Sequence, residues 1–184
     1  MRVVAGELRG RKIEAPEGKT TRPTTDKARE ATFNALGSLG VVVDAHVVDA
    51  FAGSGALGIE ALSRGAAHCT FIERNREALV VLQRNIDTLG LKDRATVVRG
   101  DALSQLVSVR KADIVLADPP YEFAQWDELL ASTTADFVVA ESNRDMTEEL
   151  AGDGAAQKPA ITGWEVTRVK RYGRAYVSFL QRLA

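Results

Sequence analysis

The segment Val47-Val48-Asp49-Ala50-Phe51-Ala52-Gly53-Ser54-Gly55-Ala56-Leu57-Gly58 constrains this chain more than any other, because an apolar run ends in two closely spaced glycines and a third opens what reads as a helix. A strand, a GxGxxG turn and a helix in that order build the first unit of an open α/β sheet. The glycines permit positive φ and let the backbone approach a ligand at the carboxyl edge of the strands. The rest of the chain repeats the alternation. Buried strands read at 46–51, 68–73, 95–99, 112–117 and 136–141, and helices near 57–64, 76–89, 102–108, 125–132 and 144–150. Runs that are apolar at nearly every residue, such as Ile114 to Ala117, belong to a parallel sheet covered on both faces. The runs 164–171 and 175–182, separated by Tyr172 to Arg174, read as a final antiparallel hairpin. The expected fold is therefore α/β, a doubly wound, mostly parallel seven-stranded sheet of Rossmann-like type.

Ahead of the sheet, Val3 to Ala5 and Arg11 to Ala15 are short β-like runs around Gly6 to Gly10. They predict an irregular N-terminal β-hairpin carrying Arg2, Arg9, Arg11 and Lys12, with a small contribution to the core. A segment punctuated by Pro and Gly, Pro16 to Pro23, leads to a helix beginning near Thr24 or Thr25, with Thr as its cap and Asp26 in its first turn. Near the other end, Gly152 to Pro159 reads as a surface loop. A chain of 184 residues suffices for one sizeable core. The expected organisation is one domain over 1–184, a basic hairpin extension at 1–20 and the α/β core at 24–184.

Charge narrows the partners. The 24 Lys and Arg nearly balance 25 Asp and Glu, yet residues 1–29 hold eight basic and four acidic side chains, residues 164–184 five and one, and the stretch between eleven and twenty. Basic ends around an acidic middle present a positive, phosphate-attracting face if they meet in space, and are ordinary solvated surface if they do not. Cys69 is the only cysteine, so no disulfide framework and no thiolate metal site is expected. With only His46 and His68 besides, histidine-based metal or triad chemistry has little support. No stretch approaches the roughly 20 apolar residues of a membrane span, and the polar start lacks the apolar core of a secretion signal, so a cytoplasmic protein without membrane partners is expected.

The glycine turn by itself also fits pyrophosphate cofactors, and some such turns bind nothing. Asp49 sharpens the choice: a carboxylate beside the loop repels a pyrophosphate and suits a cationic amino-acid ligand such as the methionine moiety of S-adenosyl-L-methionine. Glu73 ends the second strand twenty residues after Gly53, where a carboxylate accepts ribose hydroxyls. Asp101 follows the third strand and either accepts from an adenine amine or caps the next helix. After the fourth strand, Asp118-Pro119-Pro120-Tyr121 forms a loop stiffened by two fixed proline φ angles. Its chemistry suits methylation of a planar amine: Asp118 and the Pro119 carbonyl accept the two N–H hydrogens, and Tyr121 stacks on the base.

These residues resemble the class I S-adenosylmethionine-dependent methyltransferases, and Asp118 to Tyr121 resembles the signature of those acting on exocyclic amines. With Arg22-Pro23-Thr24-Thr25-Asp26-Lys27-Ala28-Arg29-Glu30, Glu60-Ala61-Leu62-Ser63-Arg64-Gly65 and Lys170-Arg171-Tyr172-Gly173, the chain is similar over nearly its whole length to the bacterial 16S ribosomal RNA guanine-N2 methyltransferase family. The resemblance implies methyl transfer to the N2 amine of one guanine in 16S rRNA on an assembling 30S particle, with S-adenosyl-L-homocysteine as product and no metal. It implies cofactor contacts at Asp49, Gly53, Gly55, Glu73 and Asp101 and target-base contacts at Asp118, Pro119 and Tyr121. RNA contacts are expected at Arg9, Arg11, Lys12, Arg22, Arg29, Lys170 and Arg171, with a capping and ion-pair role as the alternative for Arg22 and Arg29. Nothing demands more than a monomer. The competing readings are a DNA adenine or cytosine N-methyltransferase, a nicotinamide-dependent oxidoreductase, which leaves Asp118 to Tyr121 unexplained, and a non-catalytic RNA-binding assembly factor.

Overall fold

Helices α1 (Pro23–Ser38), α2 (Ala56–Ser63), α3 (Arg76–Leu89), α4 (Ala102–Leu106), α5 (Trp126–Ser132) and α6 (Met146–Glu149) alternate, after α1, with strands β1 (His46–Asp49), β2 (His68–Glu73), β3 (Ala95–Arg99), β4 (Ile114–Ala117) and β5 (Phe137–Ser142). Two longer strands, β6 (Trp164–Tyr172) and β7 (Ala175–Arg182), close the chain. The computed structural model describes residues 1–16, 23–149 and 163–184, without the side chains of 23–25 and 148–149. Most of the Pro16–Pro23 segment and the Gly152–Pro159 loop therefore lie outside the described residues. Helix α1 begins at Pro23, the position where a missing N–H costs a helix nothing, so Thr24 and Thr25 lie within its first turn and the expectation that one of them is the cap is corrected.

The strands form one sheet in the order β3-β2-β1-β4-β5-β7-β6, parallel from β3 to β5 and antiparallel at β7 and β6. The first strand is shorter than predicted, ending at Asp49 because the backbone leaves the sheet for the glycine loop there. Succession runs outward one way from β1 and the other way from β4, so the switch point of a doubly wound sheet lies between these two. Alternate residues face opposite layers. Val47, Ile114 and Leu116 join Phe33, Leu62 and Leu82 beneath α1 to α3, while Val48, Val115 and Ala117 join Leu106, Trp126 and Leu129 beneath α4 and α5.

The N-terminal hairpin is present, with Arg2 opposite Lys12 and backbone bonds from Val3 N to Arg11 O (3.0 Å) and from Gly10 N to Val3 O (2.9 Å). Its expected small role in the core is corrected by Val3 and Ile13, which are 2% and 0% exposed within the first apolar layer. Burying one aliphatic side chain contributes roughly 1.5 to 3 kcal/mol, so two such plugs anchor a hairpin too short to stand alone. A carboxylate finishes the attachment. Glu60 of α2, 0% exposed, accepts Val4 N on Oε2 (2.8 Å) and both Ala5 N (3.0 Å) and Arg64 Nε (2.7 Å) on Oε1.

Candidate active site at the carboxyl edge of the sheet

The glycine loop takes its shape from close packing on one side and open space on the other. Gly55, with φ of 86°, would set a Cβ 2.5 Å from Leu82 Cδ1, and a Cβ on Gly58 would meet the Phe71 ring and stand 2.6 Å from Cys69 Sγ. These two glycines let α2 lie against β2, which is the packing use of the third glycine in such turns. Gly53, φ 55°, has no atom within 4 Å of its missing Cβ, so the open side of the loop sits at Gly53.

Three side chains hold the loop. Glu73, at the end of β2, accepts Gly53 N on Oε2 (2.7 Å) and Asn75 N on Oε1 (2.6 Å). Asn85 of α3, 2% exposed, donates from Nδ2 to both Ser54 O and Glu14 O (2.9 Å each) and accepts Glu14 N on Oδ1 (2.9 Å). It thus ties the outgoing arm of the hairpin to the loop. Nothing in the sequence singled out Asn85, because its partners lie 31 and 71 residues away. The third is Asp49, whose Oδ2 accepts Gly58 N at 2.9 Å in the first turn of α2 while its buried Oδ1 has no hydrogen-bond partner. Burial raises the Asp49 carboxyl to about 7; the Gly58 N–H opposes this, and the nearby charges of Asp118 and Glu73 add to it.

An orphaned, buried carboxylate oxygen beside an open glycine fits a ligand that brings a cation. The residues present therefore suit the ammonium of an amino-acid-like cofactor and would repel a pyrophosphate. Asp101 caps α4, its Oδ1 accepting Leu103 N (3.1 Å) and Ser104 N (3.3 Å), so the capping alternative is realised at this exposed side chain. Asn75 caps α3 in the same manner.

Across the switch point, Asp49 stands opposite Leu116 in the β1–β4 register, so Asp118 begins the loop two residues further along the neighbouring strand. Pro119 is buried while Asp118 and Tyr121 are exposed, and Phe123 N closes a turn onto Pro120 O at 2.9 Å. An aromatic chain fastens this loop to the glycine loop. Phe51 meets Phe123 edge-on at 5.2 Å between centroids, and Phe123 meets Trp126 at 5.0 Å. Sequence reasoning overlooked Phe123 and Trp126, although an aromatic two residues after Tyr121 is a readable hint.

The basic residues divide. Lys170, Arg171 and Arg174 lie at the tip of the β6–β7 hairpin, and the register Ser142↔Tyr176↔Arg171 sets that tip at the carboxyl edge, beside Tyr121. The hairpin turn carrying Arg9 and Arg11 lies at the other edge. It rests on Ser63, the last residue of α2, through Glu7 N to Ser63 O (2.8 Å), and Arg11 Nη2 donates to Thr88 O at 3.1 Å. Among the described residues, the basic hairpin turn around Arg11 and the tip carrying Arg171 and Arg174 therefore stand apart. Arg29 is 4% exposed, donating to Arg2 O (2.7 Å) and Asp26 Oδ1 (3.0 Å) beside Glu60, which is the internal ion-pair role given above as its alternative. Arg22 lies outside the described residues. Among the described residues no cluster of His, Cys, Asp and Glu could hold a metal ion, and no helix is long and apolar enough to cross a membrane.

Comparison with known proteins adds an independent line. The family model described as conserved hypothetical protein 95 matches residues 1–181. The chain is 37% identical to ribosomal RNA small subunit methyltransferase D of Escherichia coli (strain K12), covering 100% of this chain and 91% of that protein. It is 40% identical to YlbH of Bacillus subtilis (strain 168) over 83% of this chain and 89% of the relative. Among solved structures, yhhF of Escherichia coli superposes with a TM-score of 0.80 at 38% identity, covering 100% of this chain and 98% of that one.

Proposed function

The chain belongs to the family described as conserved hypothetical protein 95 and is a ribosomal RNA methyltransferase; we propose that it methylates the N2 amine of a guanine in 16S rRNA, acting as a monomer on the assembling 30S particle. The observation that carries this reading is the placement of Asp118 to Tyr121 across the β1–β4 switch point from Asp49 and the open Gly53. S-adenosyl-L-methionine supplies, when bound, a methyl group activated by its sulfonium charge. Gly53, Gly55 and Asp49 would hold its amino-acid end, Glu73 its ribose and Asp101 its adenine. Glu73 would do so while still bracing the loop, since each carboxylate oxygen accepts more than one hydrogen bond.

The chain's own residues prepare the nitrogen. An exocyclic amine delocalises its lone pair into the ring, and acceptance of its two N–H hydrogens by Asp118 and the Pro119 carbonyl draws that density back onto nitrogen. Asp118 would also take the proton that the methylated nitrogen must lose. Tyr121 stacks on the base, an interaction worth about 1 to 3 kcal/mol. The Phe51–Phe123 contact sets the spacing of the two loops, so the rate comes mostly from positioning. The guanine must leave its stack or already lie in a loop to be reached.

The test is tritium transfer from labelled S-adenosyl-L-methionine to 30S particles from cells lacking this gene, followed by nucleoside analysis. Label in N2-methylguanosine is expected. Label in another nucleoside, or on DNA alone, overturns the assignment. Cofactor binding with no label on any nucleic acid favours an RNA-binding assembly factor instead.

A further inference from the structure

A cleft of about 380 Å³ opens beside Tyr121 and is lined by Asn143, Arg171, Arg174 and Tyr176. It is assembled from three places in the chain: the loop after β4, the end of β5 and the tip of the β6–β7 hairpin. The tip is short, because Tyr172 pairs with Ala175 and only Gly173, with φ of 63°, and Arg174 lie between. Such a two-residue turn holds its side chains in place at little entropic cost. Arg171 is fixed further by donation from Nε to Gly173 O at 3.0 Å, and its guanidinium carbon stands 5.4 Å from the centroid of the Tyr176 ring. Among the described residues neither Arg171 nor Arg174 has an ion-pair partner. This contrasts with Arg29, Arg64, Arg84 and Arg94, each of which is paired with a carboxylate.

We propose that this cleft seats the nucleotide next to the target base in an unpaired stretch of the RNA, with Arg174 on its phosphate and its base stacked on the guanidinium plane of Arg171. The inference rests on the reading of the neighbouring loop as the place where the target base is methylated. The lining matches a nucleotide in kind. Two unpaired guanidinium groups call for a phosphate, planar guanidinium over phenol makes a stacking platform, and the Asn143 amide supplies a neutral donor and acceptor. The volume falls in the range of pockets that enclose one small ligand. Because Tyr121 belongs both to the base-methylating loop and to the cleft wall, the two bases occupy adjacent positions, as splayed single-stranded RNA allows.

The two arginines have different expected signatures. Arg174→Gln removes a phosphate contact, so KM for the particle rises and the plot of log KM against log salt flattens by about 0.7. Arg171→Lys keeps the charge and loses the plane, so KM rises about tenfold with the salt slope unchanged. The measurement is methyl transfer to 30S particles from cells lacking the gene at several salt concentrations, with cofactor affinity and melting temperature unchanged in both variants. A wild type that methylates the particle, with both variants matching it in KM and salt slope, overturns this inference and leaves the proposed function standing. A wild type that transfers nothing to RNA overturns that function and this inference with it. A defect that appears on the intact particle and vanishes on protein-free 16S rRNA would assign the cleft to an acidic segment of a ribosomal protein, which also overturns it.

Discussion

The N-terminal hairpin turn and the β6–β7 tip are both short, basic and glycine-bearing, yet they stand at opposite edges of the sheet and spend their charge differently. At the amino edge, Arg2 donates to Gly10 O, Arg11 to Thr88 O, and the Glu7 carboxylate is paired with Arg94. These groups hold the chain to itself. At the carboxyl edge, Arg171 and Arg174 face a cleft with no carboxylate against them among the described residues. Charge density in the sequence is therefore alike at the two edges, and what differs is the surroundings: Arg11 reaches across to the end of α3, while Arg171 and Arg174 line a cleft.

Substitutions at the two edges should separate chemistry from stability. The largest effect is expected for Asp118→Ala, which should lower turnover more than about 10⁴-fold, roughly 5.5 kcal/mol, in single-turnover assays. Cofactor affinity and melting temperature should survive. Retained turnover near the wild type would remove Asp118 from the reaction and weaken the division between the edges. Next comes Glu60→Ala at the amino edge. It leaves the Arg29 and Arg64 charges and the Val4 and Ala5 N–H groups without their buried acceptor, so urea unfolding should show a loss of about 3 to 5 kcal/mol. The salt dependence of RNA binding should be unchanged in the folded fraction; a changed slope would mean that the hairpin also carries RNA.

A graded effect, spread over several pH units, is expected from protonation of Asp49. Its folded-state value of about 7 lies above the ordinary 3.8, so between those limits the folded chain binds the proton more tightly than the unfolded one. Its contribution is most favourable at acid pH and declines as pH rises through that window, by at most ~1.4 kcal/mol per unit. Urea titrations from pH 4 to 8 should show that decline in the wild type and its absence in Asp49→Asn. Parallel curves would mean that Asp49 stays charged in the folded protein. The smallest effect is expected for Arg11→Gln, whose exposed bond to Thr88 O is worth ~1 kcal/mol or less. Its RNA affinity should match the wild type, and a tenfold loss on 30S particles would extend the docking surface around to the amino edge.

The alternation of strands and helices was legible because burial imposes a period on each element, and α3 and β2 have the bounds that the pattern predicts. The glycine loop, Asp49, Glu73 and the Asp118–Tyr121 loop were legible for a related reason. Turn chemistry is local, and a doubly wound sheet delivers the ends of its strands to one edge whatever the details of packing. The two-proline loop and the spacing of Glu73 from Gly53 needed no partner elsewhere to be noticed.

Tertiary structure alone decided which charges are spent and which are available. Glu60 finds Val4 and Ala5 across 56 and 55 residues, Asn85 finds Glu14 across 71, and Arg29 finds the Arg2 carbonyl across 27. No periodicity encodes such pairings, because a buried polar group is satisfied by whatever folding brings beside it. The same holds for the cleft at Tyr121. Its arginines read in sequence as one more basic run, and become a nucleotide-sized site only when β7 pairs with β5 and carries the hairpin tip to the edge where the first strand left its glycines.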